Sequence, residues 1–336
     1  MLPSWYSEPP ILIACVMVIV GFYMLMKGAD VLVDGAVGIA QKFKLAPAVI
    51  GATVVAFGTS MPELVVSISA NFKALQNNMM GADGPAAIAI GNVVGSNIFN
   101  VGAILGISAL LKPVIIPATT AKFEYPVMLF SLILLVIFSY IGSGEYAITR
   151  IEGMILTSLL LAFTWGSIKF GKIPDEDIDE IAHHEQSSMA ISSVKIVIGA
   201  LFLMAGGDVC LNGALTISKE IGLSERVIGL TVMAIGTSLP ELVTSVQAVR
   251  KNHVDVATGN VIGSNLFNVF CVIGISSIVL PLPVSKASLT FDYWWMLGFS
   301  FFLVPFILLK KPLNRLIGVF LVFSLTVYVG ILLGVS

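Results

Sequence analysis

Residues 25–70 align without a gap onto residues 203–248, at a constant offset of 178, and about half of the positions are identical. Gly28 and Asp30 face Gly206 and Asp208, Gly35-Ala36 faces Gly213-Ala214, and Val49-Ile50-Gly51 faces Val227-Ile228-Gly229. The most specific match is Gly58-Thr59-Ser60-Met61-Pro62-Glu63 against Gly236-Thr237-Ser238-Leu239-Pro240-Glu241. After a ten-residue excess in the first copy the similarity resumes, with GNVVGSNIFN at 91–100 against GNVIGSNLFN at 259–268. Internal repetition governs any fold reading, so the chain must build one structure from two similar halves.

Both copies lie in apolar surroundings. Of 336 residues, 57% are hydrophobic and 11% are charged, against about 25% charged in a soluble domain. Such a chain cannot cover itself with a polar surface, and it reads as a polytopic membrane protein. A net charge of −2 gives no basic face for nucleic acid. Cys15, Cys210 and Cys271 fall in apolar segments without metal-type spacing and read as small hydrophobes. The N-terminus has no basic n-region or small-residue cleavage site, so the first apolar run reads as a retained span.

A membrane helix needs about 20 mostly apolar residues. On that measure the first half holds spans near Ile11–Met26, Ala46–Phe72, Pro85–Leu111, Tyr125–Ile141 and Gly153–Phe170. The second half holds spans near Ile191–Cys210, Glu225–Val249, Asp255–Leu280, Tyr293–Leu309 and Leu316–Leu333. The first span of each half has room to continue past Asp30 or Asp208. Between the halves, Lys172–Ser188 is polar and acidic. Its Asp175, Asp177 and Asp179 spacing begins like an EF-hand loop, but Glu180 and Gln186 stand where that loop needs Gly and Glu. A solvated linker is the better reading.

Cytoplasmic loops of membrane proteins collect Lys and Arg. With ten spans and the N-terminus outside, thirteen of the 18 basic residues fall inside and five outside. Five spans per half is an odd number, so the second copy enters the membrane from the opposite side. The expected fold is all-α, with ten transmembrane helices as two inverted five-helix repeats and broken helices at the midplane, a plan typical of secondary transporters. Residues 1–171 form the first repeat, 172–190 an acidic cytoplasmic linker and 191–336 the inverted second repeat. Both termini are then outside the plasma (inner) membrane.

The repeated motifs supply hard oxygen ligands. Pro62 and Pro240 have no N–H for the carbonyls of Gly58 and Gly236, which opens each helix. Freed carbonyls at membrane depth need protein, water or an ion to satisfy them. Thr59, Ser60 and Ser67 lie four and three residues before Glu63 and four after it, on one helical face. Carboxylate, hydroxyl and carbonyl oxygens suit Ca²⁺ or Na⁺ rather than zinc or copper. Asn92, Ser96 and Asn100, like Asn260, Ser264 and Asn268, are spaced by four and form stripes. Ser96, Asn100, Ser264 and Asn268 read as ion-lining; Asn92, Asn97, Asn260 and Asn265 read at least equally as helix glue, and the glycines as close-packing faces. One buried Glu could be a neutral carboxyl bridging two helices. Two, each after a helix break and in equivalent places, point to a shared functional site. Asp30 and Asp208 sit near helix ends and read as structural or pathway-lining.

With GTSMPE, GNVVGSNIFN, GTSLPE and GNVIGSNLFN, the chain resembles the cation/Ca²⁺ exchanger superfamily, and within it the prokaryotic-type sodium/calcium exchanger branch, over nearly its whole length. The resemblance implies a ten-helix inverted-repeat fold that moves Ca²⁺ against Na⁺, H⁺ or both Na⁺ and K⁺. It implies that Glu63 and Glu241 bridge a central Ca²⁺ site, with the carbonyls of Thr59 and Thr237 completing the shell. It further implies that Ser60, Ser238, Ser96, Ser264 and the carbonyls of Ala56 and Ala234 line the Na⁺ positions. The middle polar pair falls on Asn100 and Asn268. Sodium/calcium exchangers often carry Asp at the second of these, so the departure bears on stoichiometry, selectivity and K⁺ dependence.

The resulting expectation is a Ca²⁺/Na⁺ antiporter working by alternating access, without a cofactor and without an obligate protein partner; the lipid bilayer and the two ions are its partners. The first and sixth spans are the expected moving pair. H⁺/Ca²⁺ or K⁺-dependent Na⁺/Ca²⁺ antiport is the nearest alternative, and a cation channel the alternative of a different class. No HExxH, GxSxG or paired catalytic aspartates suggest an enzyme.

Overall fold

The computed structural model describes residues 9–77, 81, 86–141, 146–172, 188–222 and 234–334. The acidic stretch from Asp175 to Glu180 and the start of the expected span Glu225–Val249 lie outside the described residues. The described elements are helical except for a two-residue antiparallel pairing, β1 (Ala147–Ile148) with β2 (Leu282–Pro283), and two isolated bridges, Leu45 with Lys172 and Val114 with Leu313. Eight helices among the described residues are long and apolar enough to cross a membrane, and nine if one bent pair counts as a span.

The first half contains α1 (Ile11–Lys42), the bent pair α2 (Pro47–Thr59) and α3 (Met61–Asn77), then α4 (Ala87–Leu111), α5 (Glu124–Ile141) and α6 (Arg150–Phe170). The second half contains α7 (Met189–Glu220), the short α8 (Ala234–Thr237) followed by α9 (Leu239–Arg250), then α10 (Val254–Val279), α11 (Ser288–Leu308) and α12 (Arg315–Gly334). Nine of the ten expected spans have their counterpart here. The described part of the remaining one is α8 and α9.

The first span of each half is longer than its apolar stretch. Both α1 and α7 run for 32 residues, about 48 Å at 1.5 Å per residue, well past Asp30 and Asp208. They pair antiparallel along their length: Gly21 meets Gly206 and Cys210, Gly28 meets Gly199 and Leu203, and Gly35 meets Ser192 and Ile196. A Cβ on Gly28 would come within 2.9 Å of the Gly199 carbonyl and the Leu203 nitrogen, so glycine permits a backbone contact that no side chain could share.

The helices sort by burial. The apolar stretches of α4 and α10 are 78% and 89% buried, whereas that of α12 is 17% buried. Leu12, Ile19, Leu161, Trp165, Leu316 and Phe323 on the outer helices are all exposed, as expected of side chains that face lipid rather than water. The two helices carrying the Asn/Ser stripes therefore form the centre. Gly263 of α10 lies against Ala52 of α2, where an added Cβ would stand 2.5 Å from the Ala52 Cα and carbonyl oxygen. Small residues let these central helices touch through their backbones.

Candidate cation site at the crossing of the two halves

Each glutamate follows a helix break placed by its own motif. Ser60 leaves helical geometry with φ −85° and ψ 7°, and Ser238 does the same with φ −92° and ψ 7°. The next helix opens with proline in its first turn, where a missing N–H costs nothing. Glu63 and Glu241 then lie in the first turns of α3 and α9. Both are 1% exposed.

The serine contacts cross between the halves. Ser60 Oγ donates to Glu241 Oε1 at 3.0 Å, and Ser238 Oγ lies 3.2 Å from Glu63 Oε1. Helical spacing alone puts Ser60 beside Glu63; the break at residue 60 instead turns its hydroxyl to the other half. Ser96 Oγ reaches Glu63 Oε1 at 3.5 Å and is itself 3.0 Å from Ser238 Oγ. Its equivalent, Ser264, is fully buried and its hydroxyl has no hydrogen-bond partner among the described residues.

The threonines use their side chains on a different partner. Thr59 Oγ1 lies 3.3 Å from Asn260 Oδ1, and Thr237 Oγ1 lies 3.3 Å from Asn92 Oδ1. Asn260 in turn donates to the Glu241 carbonyl at 3.4 Å and to Ser245 Oγ at 3.0 Å. Asn92 likewise donates to the Glu63 carbonyl at 3.4 Å and to Ser67 Oγ at 3.5 Å. Asn92 and Asn260 therefore brace the turn that carries each glutamate against the opposite half. Sequence spacing places them at the head of each four-residue stripe and leaves a packing role open; their threonine partners on the other half decide it.

Asn100 and Asn268 each begin a turn of π-helix, Asn100–Leu105 and Asn268–Ile273, a local widening that is frequent at functional sites. Both are buried, and each amide nitrogen is bonded while each Oδ1 has no partner. The Ala56 carbonyl already accepts from the Ser60 N–H at 3.0 Å and from Thr59 Oγ1 at 3.3 Å. Ala234 opens the described helix α8.

Five buried oxygens of this region thus have no hydrogen-bond partner among the described residues: Glu63 Oε2, Glu241 Oε2, Asn100 Oδ1, Asn268 Oδ1 and Ser264 Oγ. A buried oxygen without a partner is expensive. Among the described residues no three His, Cys, Asp or Glu gather to hold a metal ion. Any cation here would take two carboxylates and otherwise neutral oxygens, a donor set suited to Ca²⁺ or Na⁺.

Crossed halves, helices broken at a buried carboxylate and an apolar exterior are those of an all-helical membrane protein. The family model described as sodium/calcium exchanger protein matches residues 13–169 and 191–334, and the chain belongs to that family. It is 30% identical to the sodium/calcium exchanger MaX1 of Methanosarcina acetivorans, over 94% of this chain and 97% of that protein. It is 29% identical to the inner membrane protein YrbG of Escherichia coli, over 97% and 98%. Its fold is similar to that of the sodium-calcium exchanger NCX_Mj soaked with 10 mM Na⁺ and 10 mM Sr²⁺, with TM-score 0.77, 28% identity and coverage of 95% and 97%. Against the same protein soaked with 10 mM Na⁺ and zero Ca²⁺, the TM-score is 0.79 at 27% identity, covering 97% and 100%. The chain is a cation/Ca²⁺ antiporter of a family of transporters, not enzymes.

Proposed function

We propose that this protein exchanges Ca²⁺ for Na⁺ by alternating access around one central site built on Glu63 and Glu241. The observation that carries this reading is the set of five buried, unpartnered oxygens on α3, α4, α9 and α10. Two carboxylates match the charge of one Ca²⁺, and several Na⁺ ions can match it too by spreading onto hydroxyls, amides and carbonyls. Because both ion sets need the same glutamates, they exclude each other, and that competition suffices for antiport.

The proposal assigns Thr59 and Thr237 carbonyls to the Ca²⁺ shell, and Ser60, Ser238, Ser96, Ser264 and the Ala56 and Ala234 carbonyls to Na⁺. Asn100 and Asn268 form the middle pair. Residues 1–171 and 191–336 act as inverted five-helix repeats joined by a cytoplasmic linker at 172–190. The antiparallel pairing of α1 with α7, equivalent helices of the two halves, supports that inversion. These two helices are the pair proposed to move. The termini lie outside an inner membrane, in line with the basic-residue asymmetry.

The test is Ca²⁺ uptake into proteoliposomes with Na⁺, K⁺ and H⁺ gradients imposed separately. Uptake driven by Na⁺ alone is expected. Uptake that a pH gradient drives without Na⁺ would replace the reading with H⁺/Ca²⁺ antiport. A requirement for K⁺ would make the exchange K⁺-dependent, and flux without any counter-ion would make it a channel.

A further inference from the structure

We propose that Asn97 and Asn265 are positioning residues that lock the amides of Asn268 and Asn100 with their oxygens turned to the cation; this rests on the proposed function and deepens it. The argument starts from two backbone carbonyls, which can only accept. Asn97 Nδ2 lies 3.4 Å from the Asn265 carbonyl, and Asn265 Nδ2 lies 3.5 Å from the Asn97 carbonyl. Asn97 Nδ2 also lies 3.8 Å from Met296 Sδ, another acceptor. Each of these side chains must therefore present nitrogen to the opposite backbone, which leaves its oxygen facing the other way.

That oxygen decides the next amide. Asn268 Nδ2 donates to Asn97 Oδ1 at 2.9 Å, and Asn100 Nδ2 donates to Asn265 Oδ1 at 2.9 Å. A flip of either amide would set oxygen against oxygen and forfeit the bond. All four side chains are at most 1% exposed, so water cannot compensate a flipped state. The choice is fixed before an ion arrives: Asn100 Oδ1 and Asn268 Oδ1 remain as buried acceptors with no partner among the described residues. Asn100 lies four residues beyond Ser96, on the face by which Ser96 reaches Glu63.

An amide held in its binding orientation avoids the ordering cost that a free rotor would incur on binding. The locks sit one residue after Ser96 and Ser264, off the stripe of ligands, where spacing alone reads them as helix glue. The crossing of α4 with α10 brings each lock to the other half's ligand, so each half orients its partner's ligand.

The test is equilibrium Ca²⁺ binding to the detergent-solubilised full chain, with Na⁺ as competitor. Asn97→Ala should raise the Ca²⁺ dissociation constant, or that of competing Na⁺, about tenfold, the worth of one good hydrogen bond. Asn268→Ala should do the same, and the double variant should lose no more than Asn268→Ala alone, because no amide is left to orient. A packing defect would add instead. Where Asn97→Ala does not fold, Asn97→Leu keeps the volume and carries the same expectation. Constants within twofold of wild type in Asn97→Ala or Asn97→Leu, or additive losses, would overturn the inference and leave the proposed function standing. Absence of Ca²⁺ binding by wild type, or its persistence in Glu63→Gln and Glu241→Gln, would overturn both.

Discussion

Replacing Glu63 by Gln removes one of the two charges offered to the cation and little else. The Oε1 atom that meets Ser238 and Ser96 can remain an oxygen in the amide. The new NH₂ then falls where Oε2 had no partner, so the fold loses at most the cost of one unpaired donor, about 1–3 kcal/mol. The electrostatic loss is larger. At about 4 Å and an effective dielectric of about 20, a unit charge pair is worth about 4 kcal/mol. Ca²⁺ would lose about 8 kcal/mol and Na⁺ about 4 on the same scale, before any relaxation. The difference of about 4 kcal/mol is roughly three powers of ten in selectivity against Ca²⁺.

Glu241→Gln carries the same expectation, since Ser60 meets only its Oε1. In proteoliposomes, Na⁺-driven Ca²⁺ uptake should fall more than a hundredfold in each variant, with Na⁺ binding weakened less than Ca²⁺ binding. The purified variants should stay monodisperse and melt cooperatively. Uptake within threefold of wild type in both variants would refute the two-glutamate site. Equal losses of Ca²⁺ and Na⁺ affinity would refute the charge argument.

The crossed serines predict a specific coupling. Ser60→Ala should be non-additive with Glu241→Ala, which removes the Oε1 acceptor, by about 0.5–3 kcal/mol in Ca²⁺ binding and additive with Glu63→Ala; the reverse pattern would mean that Ser60 serves its own half. Gly263→Ala would force a Cβ to within 2.5 Å of the Ala52 backbone, so it should cost about 1–3 kcal/mol or more, read as a lower melting temperature. Gly298→Ala, where nothing lies within 4 Å, should not lower it, and equal effects would discount the packing argument. Lys251 bridges Asp30 at 3.2 Å and Asp34 at 2.8 Å, tying the end of α9 to α1. With 31% of the lysine side chain exposed, Lys251→Gln should cost about 1 kcal/mol or less. Ca²⁺ affinity should not move and the maximal rate should change less than threefold; a tenfold loss of rate would show that the ion pair sets the transport step.

Much of this protein is legible in its sequence because its strongest signals are local or periodic. Apolar length fixes the membrane class, since a bilayer demands helices of a set length. The 178-residue offset exposes the duplication, and the Gly-Thr-Ser-x-Pro-Glu copies mark the helix breaks, because proline acts on its own backbone whatever surrounds it. Span ends are legible only in part: the sequence leaves room for α1 and α7 to continue past Asp30 and Asp208, and their full 32 residues follow from the glycine faces they share, which extend further than their apolar stretches.

Only the tertiary structure decided which residues meet. A four-residue spacing says that Thr59, Ser60 and Glu63 share a face, but a break at Ser60 and a partner 181 residues away give that hydroxyl to Glu241. The same crossing converts Asn92 and Asn260 from helix glue into braces of the opposite half's threonines, and turns four asparagines into a lock with two free oxygens. An amide's orientation depends on whether its neighbour can donate or only accept, and those neighbours lie on the other half of the chain. The sequence by itself determined a duplicated membrane protein with two glutamates in apolar helices; the packing of one half against the other determined which buried oxygens are left without a partner among the described residues.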